Sequence, residues 1–197
     1  MISSVVFDLD GTLTMVPSPW RYVHERLGLW EDTACHYLNE WLDGKISYEE
    51  FCRRDTKLWN GRTVGEINAF LDEIDLNRHV PTVVEQLVAR RIPSIIISSG
   101  FKYVAAKIQQ QCGWDPLLIY ANELVEGPMV QINVSGDSSS PLSKKALAER
   151  ALKSVDSSLG STLAVSDTVR DLEQLGDCRY KLHVQREDDL LRVNNFL

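Results

Sequence analysis

The chain has 197 residues, of which 44% are hydrophobic and 25% charged, a composition typical of a folded protein with a hydrophobic core. Its formal net charge of −7 argues against nucleic acid and anionic membrane surfaces as main partners. The N-terminus lacks the basic flank and apolar stretch of a signal peptide, and no window approaches the roughly 18 apolar residues of a membrane span, so we expect a cytoplasmic protein with no membrane partner.

The first predicted element is a buried strand. The run Ser4–Asp8 is apolar and β-branched, and it stops at the loop Asp8–Thr12. After a proline-rich break, residues 20–78 repeat apolar side chains at helical spacing and contain no good strand candidate. This pattern predicts a small all-helical unit.

After residue 81 helices and strands alternate. The predicted helices are Val83–Arg91, Tyr103–Gln111, Leu142–Lys153, Asp171–Leu175 and Asp188–Phe196; the predicted strands are Ser94–Ser98 (ended by Gly100), Leu117–Ala121, Thr162–Val165 and Tyr180–Val184, with a hairpin over Leu124–Val134 and a serine-rich loop at Gly136–Pro141. Alternation predicts an α/β fold, a Rossmann-like doubly wound parallel sheet with the helical unit inserted as a cap after the first strand. The predicted domains are a discontinuous core, 1–13 and 81–197, and a cap, 14–80.

Carboxylates and hydroxyls follow the ends of the predicted strands, where ligands bind in such sheets. Asp8 and Asp10 are one residue apart in an extended segment, so both side chains can reach one cavity. Gly11 permits a tight backbone and Thr12 adds a hydroxyl donor. Taken alone, D-x-D-G could be a turn, but a calcium loop is excluded because residues 15–17 lack its oxygen ligands.

Four segments in order carry a resemblance to a known family. Val6–Thr14 resembles the first signature of the haloacid dehalogenase superfamily of phosphatases. Ser98, ahead of Ser99–Phe101, matches the second signature, Lys144 the lysine of the third, and Ser166–Leu172 the acidic fourth. Four motifs in order, each in its expected strand–loop setting, make a chance match improbable.

The resemblance implies a Mg²⁺-dependent phosphomonoester hydrolase that forms an aspartyl-phosphate on Asp8. Asp10 would protonate the leaving oxygen and then deprotonate the attacking water. The implied roles are catalysis for Asp8, Asp10, Ser98 and Lys144, substrate binding for Thr12, Ser99 and Gly100, and metal binding for Asp8, a backbone carbonyl near Asp10, Asp167 and Asp171.

Three of these assignments have alternatives, two in the choice of residue and one in the role. Ser99 is an alternative to Ser98, and Lys145 is an alternative to Lys144. Asp171 could steady the lysine or a metal-bound water, or it could be only a carboxylate near a helix N-terminus.

Within the superfamily the chain most resembles the phosphoserine phosphatase branch, with two departures. Residues 17–19 (Pro-Ser-Pro) stand where that branch has a glutamate, and Asp55 aligns with its cap arginine, although Arg53 and Arg54 are adjacent. We therefore expect a small phosphorylated metabolite as the substrate, with phosphoserine as one candidate, and a monomer or a homodimer.

Other functions remain possible on the same scaffold. A phosphomutase or phosphotransferase is one alternative, and a non-catalytic phosphate-ligand-binding protein is another. A dehalogenase is disfavoured because those enzymes lack an acid at the position of Asp10.

The remaining chemically active residues show no site pattern. The histidines, at 24, 36, 79 and 183, lack metal-ligand spacing and are predicted to lie at the surface or its boundary, and the scattered cysteines, at 35, 52, 112 and 178, are predicted to be buried thiols. The tryptophans of the helical unit, at 20, 30, 41 and 59, are predicted to be core residues, although one could face the active site.

Overall fold

The computed structural model describes residues 2–115, 117–127, 129–134 and 143–197. Its centre is a six-stranded sheet in the order β4-β3-β2-β1-β5-β6. The strands are β1 Ser4–Phe7, β2 Ser94–Phe101, β3 Leu117–Val125, β4 Gln131–Asn133, β5 Thr162–Ser166 and β6 Tyr180–His183. All neighbouring strands are parallel except β3 and β4, which form an antiparallel hairpin at one edge. The carboxyl ends of β1, β2 and β5 therefore lie at the same edge of the sheet.

Side chains of the central strands alternate between two hydrophobic cores. Val5 and Phe7 of β1 and Ile96 of β2 belong to the larger core, whereas Val6 and Ile95 belong to the smaller one on the other face. Alternate side chains of a strand point to opposite faces, so a sheet with apolar residues at every position must be covered on both sides. This is the doubly wound arrangement predicted from the sequence, and the fold-class prediction is confirmed.

Helices cover both faces and fill the segment after β1. They are α1 Pro19–Arg26, a π-helical turn Trp30–Ala34, α2 Cys35–Leu42, α3 Tyr48–Leu58, α4 Val64–Asp72, α5 Val80–Ala89, α6 Lys102–Cys112, α7 Lys144–Ser154, a 3₁₀ turn Leu159–Ser161, α8 Val169–Gln174 and a 3₁₀ segment Glu187–Asn195. We call residues 15–75, which contain α1 to α4, the helical insertion.

The chain leaves and re-enters the core along two adjacent stretches. Thr14 and Leu76 form an isolated antiparallel bridge, and the Asn77 amide donates to the Leu13 carbonyl at 2.9 Å. The helical insertion thus begins and ends at one place, next to the carboxyl end of β1. The predicted boundaries of the cap, 14–80, stay a prediction.

Several element boundaries differ from the sequence prediction. β2 does not end at Gly100 but runs to Phe101, with a change of register against β3 after Ile97. The short helix predicted at 171–175 begins at Val169, and the last helix is a 3₁₀ segment. The predicted serine-rich loop, Gly136–Pro141, and the first predicted residue of the helix after it lie outside the described residues.

The prediction that all four histidines lie at the surface or its boundary is wrong for His24. Its side chain is fully buried in the helical insertion, where Trp59 Nε1 donates to its Nδ1 at 3.3 Å and Asp55 Oδ2 lies 3.2 Å from its Nε2. Nδ1 is hydrogen-bonded, whereas Nε2 lies near Asp55 without forming a hydrogen bond among the described residues. The cysteines are free thiols, with Cys52 and Cys178 buried and the other two half-buried. Among the described residues, no helix combines the length and apolar character needed to span a bilayer.

Candidate active site

The strand ends converge on a cavity of about 440 Å³ between the sheet and the helical insertion. Asp8 follows β1, Ser98 lies in β2, Asp167 follows β5, and Lys144 is the first residue of α7. The residues of the core that line the cavity are Asp8, Asp10, Ile97, Ser98, Ser99, Lys144, Leu147, Asp167, Thr168, Arg170, Asp171 and Gln174. The parallel sheet therefore brings together polar residues that are up to 166 positions apart in sequence, from Asp8 to Gln174.

Asp8 is held in a buried cluster of charges. Lys144 Nζ donates to Asp8 Oδ1 at 2.6 Å and to Asp171 Oδ2 at 2.5 Å, so one ammonium bridges two carboxylates. Burial raises the pKa of Asp8 to about 6, against the lowering effect of Lys144. Burial lowers the pKa of Lys144, but Asp8 and Asp171 outweigh it and the net pKa is raised. Lys144 is thus a firmly charged cation beside the Asp8 carboxylate.

Asp10 lies against the turn in β2. Ser98 Oγ donates to Asp10 Oδ2 at 2.6 Å and accepts from the Gly100 amide at 2.7 Å. Burial and the nearby charge of Asp8 raise the pKa of Asp10 to about 8. A carboxyl group with that pKa carries a proton at neutral pH, which is what a general acid requires.

Asp167 is positioned by the loop after β1. Its amide donates to Thr12 Oγ1 at 2.8 Å, and Thr12 Oγ1 donates to Asp167 Oδ1 at 3.3 Å. The backbone at Gly11 has φ +77°, and a Cβ there would lie 2.3 Å from Asp167 Oδ2. Thr12 is fully buried and does not line the cavity. These contacts indicate that Thr12 positions Asp167, and its predicted contact with substrate stays a prediction.

The carboxylates fit a hard cation. Within the described part of the chain, no three Asp, Glu, His or Cys side chains are already gathered as a metal site. However, Asp8 and Asp167 are neighbours whose pKa values are both raised, first by burial and also by the charge of Asp171. Mg²⁺ is commonly held by one or two carboxylates together with waters and a substrate phosphate, so this pair is sufficient for it.

Two further metal ligands are predicted from the sequence. They are a backbone carbonyl near Asp10 and the carboxylate of Asp171, which pairs with Lys144. Their ligand roles stay predictions, and for Asp171 the contact supports the alternative that it steadies the lysine.

The structure separates the alternatives that the sequence left open, Lys145 for Lys144 and Ser99 for Ser98. Lys145 is partly exposed and forms an ion pair with Asp177, away from the cavity. Ser99 lines the cavity, but Ser98 is the serine whose hydroxyl contacts Asp10. The contacts therefore favour Lys144 and Ser98 for the motif positions.

The Ser99 carbonyl accepts three hydrogen bonds that the sequence analysis did not predict. It accepts hydrogen bonds from Trp20 Nε1 at 3.0 Å, Tyr48 OH at 3.0 Å and Asn122 Nδ2 at 2.8 Å. Asn122 Nδ2 also donates to Tyr48 OH at 2.7 Å. The donors come from α1, α3 and β3, so no local pattern in the sequence links them.

The wall of the cavity that comes from the helical insertion carries no charged side chain among the described residues. It is formed by Pro17, Ser18, Pro19, Trp20, Trp41 and Tyr48. Asp55, which aligns with a cap arginine of phosphoserine phosphatases, is buried beside His24. Arg53 and Arg54 form ion pairs with Glu50 on the outer side of α3. None of these three residues lines the cavity.

Solved structures share this fold. A phosphoserine phosphatase captured as a phospho-aspartyl intermediate analogue is 20% identical, with a TM-score of 0.73, and the match covers 97% of this chain and 90% of that one. A substrate-bound phosphoserine phosphatase is 19% identical, with a TM-score of 0.70 and coverage of 96% and 90%.

A haloacid dehalogenase family hydrolase from Salmonella enterica serovar Typhi is 15% identical with a TM-score of 0.71; the match covers 90% of this chain and 62% of that longer one. The sequence matches none of the curated proteins. The haloacid dehalogenase-like hydrolase family matches residues 5–175, which include all four motifs and every acidic residue of the cavity. The chain therefore belongs to the haloacid dehalogenase-like hydrolases, with the fold of their phosphoserine phosphatase branch.

Proposed function

We propose that this hydrolase cleaves small phosphomonoesters through a phosphoryl group carried transiently on Asp8. The observation that supports this most directly is the placement of Asp8 between a charged lysine and a second carboxyl group in one cavity. Lys144 is 2.6 Å from Asp8, and Asp10 follows it by two residues in the same loop. Nucleophile, cation and proton donor are therefore present together.

The first step transfers the phosphoryl group to the protein. An Asp8 carboxylate oxygen attacks phosphorus, the bond between phosphorus and the ester oxygen breaks, and Asp10 gives its proton to the leaving alkoxide. Lys144 and the hydroxyl of Ser98 are positioned to stabilise negative charge on the phosphoryl oxygens. The product alcohol can then leave the cavity.

The second step returns the phosphoryl group to water. The Asp10 carboxylate takes a proton from a water molecule as its oxygen attacks phosphorus, and the bond between phosphorus and Asp8 breaks. The site is thereby restored with Asp8 as a carboxylate and Asp10 protonated. Bound Mg²⁺ would supply charge neutralisation that lets an anionic nucleophile approach an anionic phosphate, with Asp8, Asp167 and a backbone carbonyl near Asp10 as its protein ligands.

The test is phosphate release from a panel of phosphomonoesters, with and without Mg²⁺. We expect Mg²⁺-dependent release by the wild type and loss of at least roughly a thousandfold in kcat for Asp8→Asn, because the nucleophile is removed. Lys144→Ala should show a loss of roughly a hundredfold or more, whereas Lys145→Ala, its sequence neighbour, should be unchanged.

Other outcomes would identify a different function. Transfer of phosphate to a second alcohol without release would indicate a phosphotransferase. Binding of vanadate without release from any ester would indicate a phosphate-ligand-binding protein and would overturn the proposal.

A further inference from the structure

We propose that the cavity selects phosphomonoesters whose organic group is uncharged and apolar. This inference rests on the proposed function and names the substrate class of the same site. It follows from the side of the cavity that the helical insertion provides, which is lined by the aromatic residues Trp20, Trp41 and Tyr48 and by two prolines, Pro17 and Pro19. We call these five residues the aromatic wall.

The aromatic wall is rigid because a second set of rings supports it. Trp41 stacks on Phe51 with ring centroids 5.4 Å apart and also contacts the Tyr48 ring at 5.3 Å. Trp20 packs on Phe101 with centroids 4.7 Å apart. Ring pairs at these distances stabilise their own geometry beyond the effect of burial, so the wall is a preformed surface.

Two of the three polar groups of the aromatic wall are bonded within the protein. Trp20 Nε1 and the Tyr48 hydroxyl both donate to the Ser99 carbonyl, which leaves their ring faces and edges for a ligand. The third is the uncharged indole N–H of Trp41, which has no hydrogen bond among the described residues. Beside the wall, the Ser18 hydroxyl accepts from the Arg21 amide as the N-cap of α1. A mostly apolar surface with few polar groups is typical of a site that binds by the hydrophobic effect and shape.

An amino-acid zwitterion would find no charge partner on this wall. Asp55 is buried against His24, and Arg54 is held by Glu50 and Glu40, so the charges of α3 point elsewhere. An ammonium or a carboxylate placed against the rings would lose its hydration without gaining an ion pair, which is unfavourable.

A cationic organic group is disfavoured as well, although aromatic rings can bind cations. Arg170 lies on the core side of the same cavity, is exposed, and has no ion-pair partner among the described residues. Its charge would repel a quaternary ammonium while it attracts the phosphate of any substrate toward an acidic protein. An uncharged apolar organic group fits both the aromatic wall and the core side of the cavity, where Arg170 lies.

The test compares alkyl phosphates whose leaving alcohols have similar acidity, so that rate differences report binding. Benzyl phosphate, ethyl phosphate, phosphoserine and phosphocholine would be assayed with Mg²⁺ for kcat and KM. We expect kcat/KM for benzyl phosphate to exceed that for phosphoserine and phosphocholine by at least about tenfold, the discrimination that one well-packed apolar group provides.

Trp41→Ala isolates the contribution of the wall. It should lower kcat/KM for benzyl phosphate by about tenfold, mainly through KM, and change ethyl phosphate by less than about threefold, because the ethyl group is too short to depend on that ring. Trp30→Ala is the matched control: Trp30 is half-buried in the same helical insertion, packs on Arg21 and does not line the cavity. Trp41→Leu keeps apolar volume, so it covers the case in which the alanine variant melts at assay temperature.

Each outcome decides the inference. Preference for benzyl phosphate that Trp41→Ala removes and Trp30→Ala retains would support it. Equal rates for all four esters, or preference for phosphoserine or phosphocholine, would overturn it while leaving the proposed function intact. Absence of Asp8-dependent release from every ester would overturn the proposed function, and the inference with it.

Discussion

Two glycines determine how closely the backbone can approach the carboxyl groups of the site. A Cβ at Gly11 would lie 2.3 Å from Asp167 Oδ2, and a Cβ at Gly100 would lie 2.2 Å from Asp10 Oδ2. Real Cβ atoms do not approach other heavy atoms this closely, so any other residue would displace the carboxyl group. The glycines of the first and second motifs are therefore explained by contact between backbone and acid.

Gly100→Ala should impair catalysis without unfolding the protein. The new methyl group would push Asp10 away from Ser98, and a displacement of about 1 Å can lower kcat roughly a hundredfold. The measurement is kcat with a chromogenic phosphate, together with the melting temperature. Gly65→Ala, in α4, is the control, because a Cβ there would lie 3.8 Å from its nearest contact, Thr63 Oγ1. Its kcat should be unchanged and the helix stabilised by up to about 1 kcal/mol. A Gly100→Ala enzyme of normal kcat would contradict the assigned role of Asp10.

His24 and Asp55 form a buried polar pair outside the cavity. Because Trp59 Nε1 donates to His24 Nδ1, the proton of the neutral ring must be on Nε2, which faces Asp55. Burial raises the pKa of Asp55, against a lowering by His24. Asp55 Oδ1 has no hydrogen-bond partner in the described part of the chain. The effect of burial on the Asp55 pKa is therefore only partly offset by His24.

The raised pKa of Asp55 gives a pH dependence with a defined sign. A folded-state pKa above the unfolded value means that the protonated form is favoured by folding, so its contribution to stability is present at low pH and is lost as pH rises through the folded pKa. Asp55→Asn cannot titrate. The free energy of unfolding of the wild type, minus that of Asp55→Asn, should therefore decrease as pH rises above about 4, the ordinary carboxyl pKa.

Urea unfolding at several pH values between 3 and 7 measures this difference. Asp43→Asn, at an exposed ion pair with Lys45, serves as the control and should show little change. A difference between wild type and Asp55→Asn that grows with pH would show that the pair is an ion pair with a lowered pKa.

At the scale of elements, α1 and α3 of the helical insertion are attached to the core through the Ser99 carbonyl. Trp20 and Tyr48 reach this atom from the insertion, and Asn122 reaches it from β3. Since Ser99 lies between Ser98 and Gly100, any movement of the insertion acts directly on the turn that positions Asp10. The attachment therefore links the position of the helical insertion to that of Asp10.

Tyr48→Phe should loosen this attachment while preserving the packing of the ring. The variant loses two buried hydrogen bonds, the one that the hydroxyl donates to the Ser99 carbonyl and the one that it accepts from Asn122. Because each loss costs about 1 kcal/mol, amide exchange in α1 and α3 should accelerate about thirtyfold. Hydrogen exchange followed by mass spectrometry measures this. Tyr22→Phe is the control, because the Tyr22 hydroxyl bonds Glu73 and Arg26 at the surface of the insertion. Equal exchange in both variants would show that the hydrogen bonds to the Ser99 carbonyl do not hold the insertion in place.

The sequence predicted the elements well where a local pattern determines them. The β-branched runs at Ser4–Asp8 and Ser94–Ser98 are strands because short apolar runs between turn residues fit a sheet buried on both faces. The motif residues meet because parallel strands end at one edge. The first rule predicted the strands of the sheet, and the second predicted that Asp8, Ser98 and Asp167 lie near one another, as they do in the cavity.

Contacts that join distant side chains were not predictable in this way. His24 and Asp55 are 31 positions apart and each looks like a surface residue in its own helix, so only the packed structure shows that they are buried together. Likewise, the hydrogen bond that Thr12 Oγ1 accepts from the Asp167 amide joins residues 155 positions apart. Pairwise polar contacts of this kind depend on tertiary geometry that no sequence window contains.

For the molecule as a whole, the acidic character of the site makes stability depend on what binds there. The net charge is −7, and Asp8, Asp10, Asp167 and Asp171 all line one cavity in which Lys144 is the buried cation. Buried carboxylates with raised pKa values oppose folding at neutral pH. A ligand that supplies positive charge should therefore stabilise the entire fold.

We expect Mg²⁺ together with beryllofluoride, a mimic of the phosphoryl group on a carboxylate, to raise the melting temperature. A ligand at about 100 times its Kd adds about 2.7 kcal/mol, and each kcal/mol shifts Tm by about 2–4 °C in a chain of this size, so the rise should be about 5–10 °C. Thermal unfolding with Mg²⁺ alone, beryllofluoride alone and both together separates the two contributions.

The same shift should be absent from Asp8→Asn and strongly reduced in Asp167→Asn, and it should be retained in Asp177→Asn, whose carboxylate pairs with Lys145 outside the cavity. The shift within each variant is the quantity to compare, because removing a buried carboxylate relieves repulsion and can raise the baseline melting temperature by itself. If Asp8→Asn shifted as much as the wild type, the analogue would be bound elsewhere and Asp8 would not carry the phosphoryl group. If Asp167→Asn shifted fully while Asp8→Asn did not, the cation would be held without the fourth motif, and the family's metal arrangement would not apply to this chain.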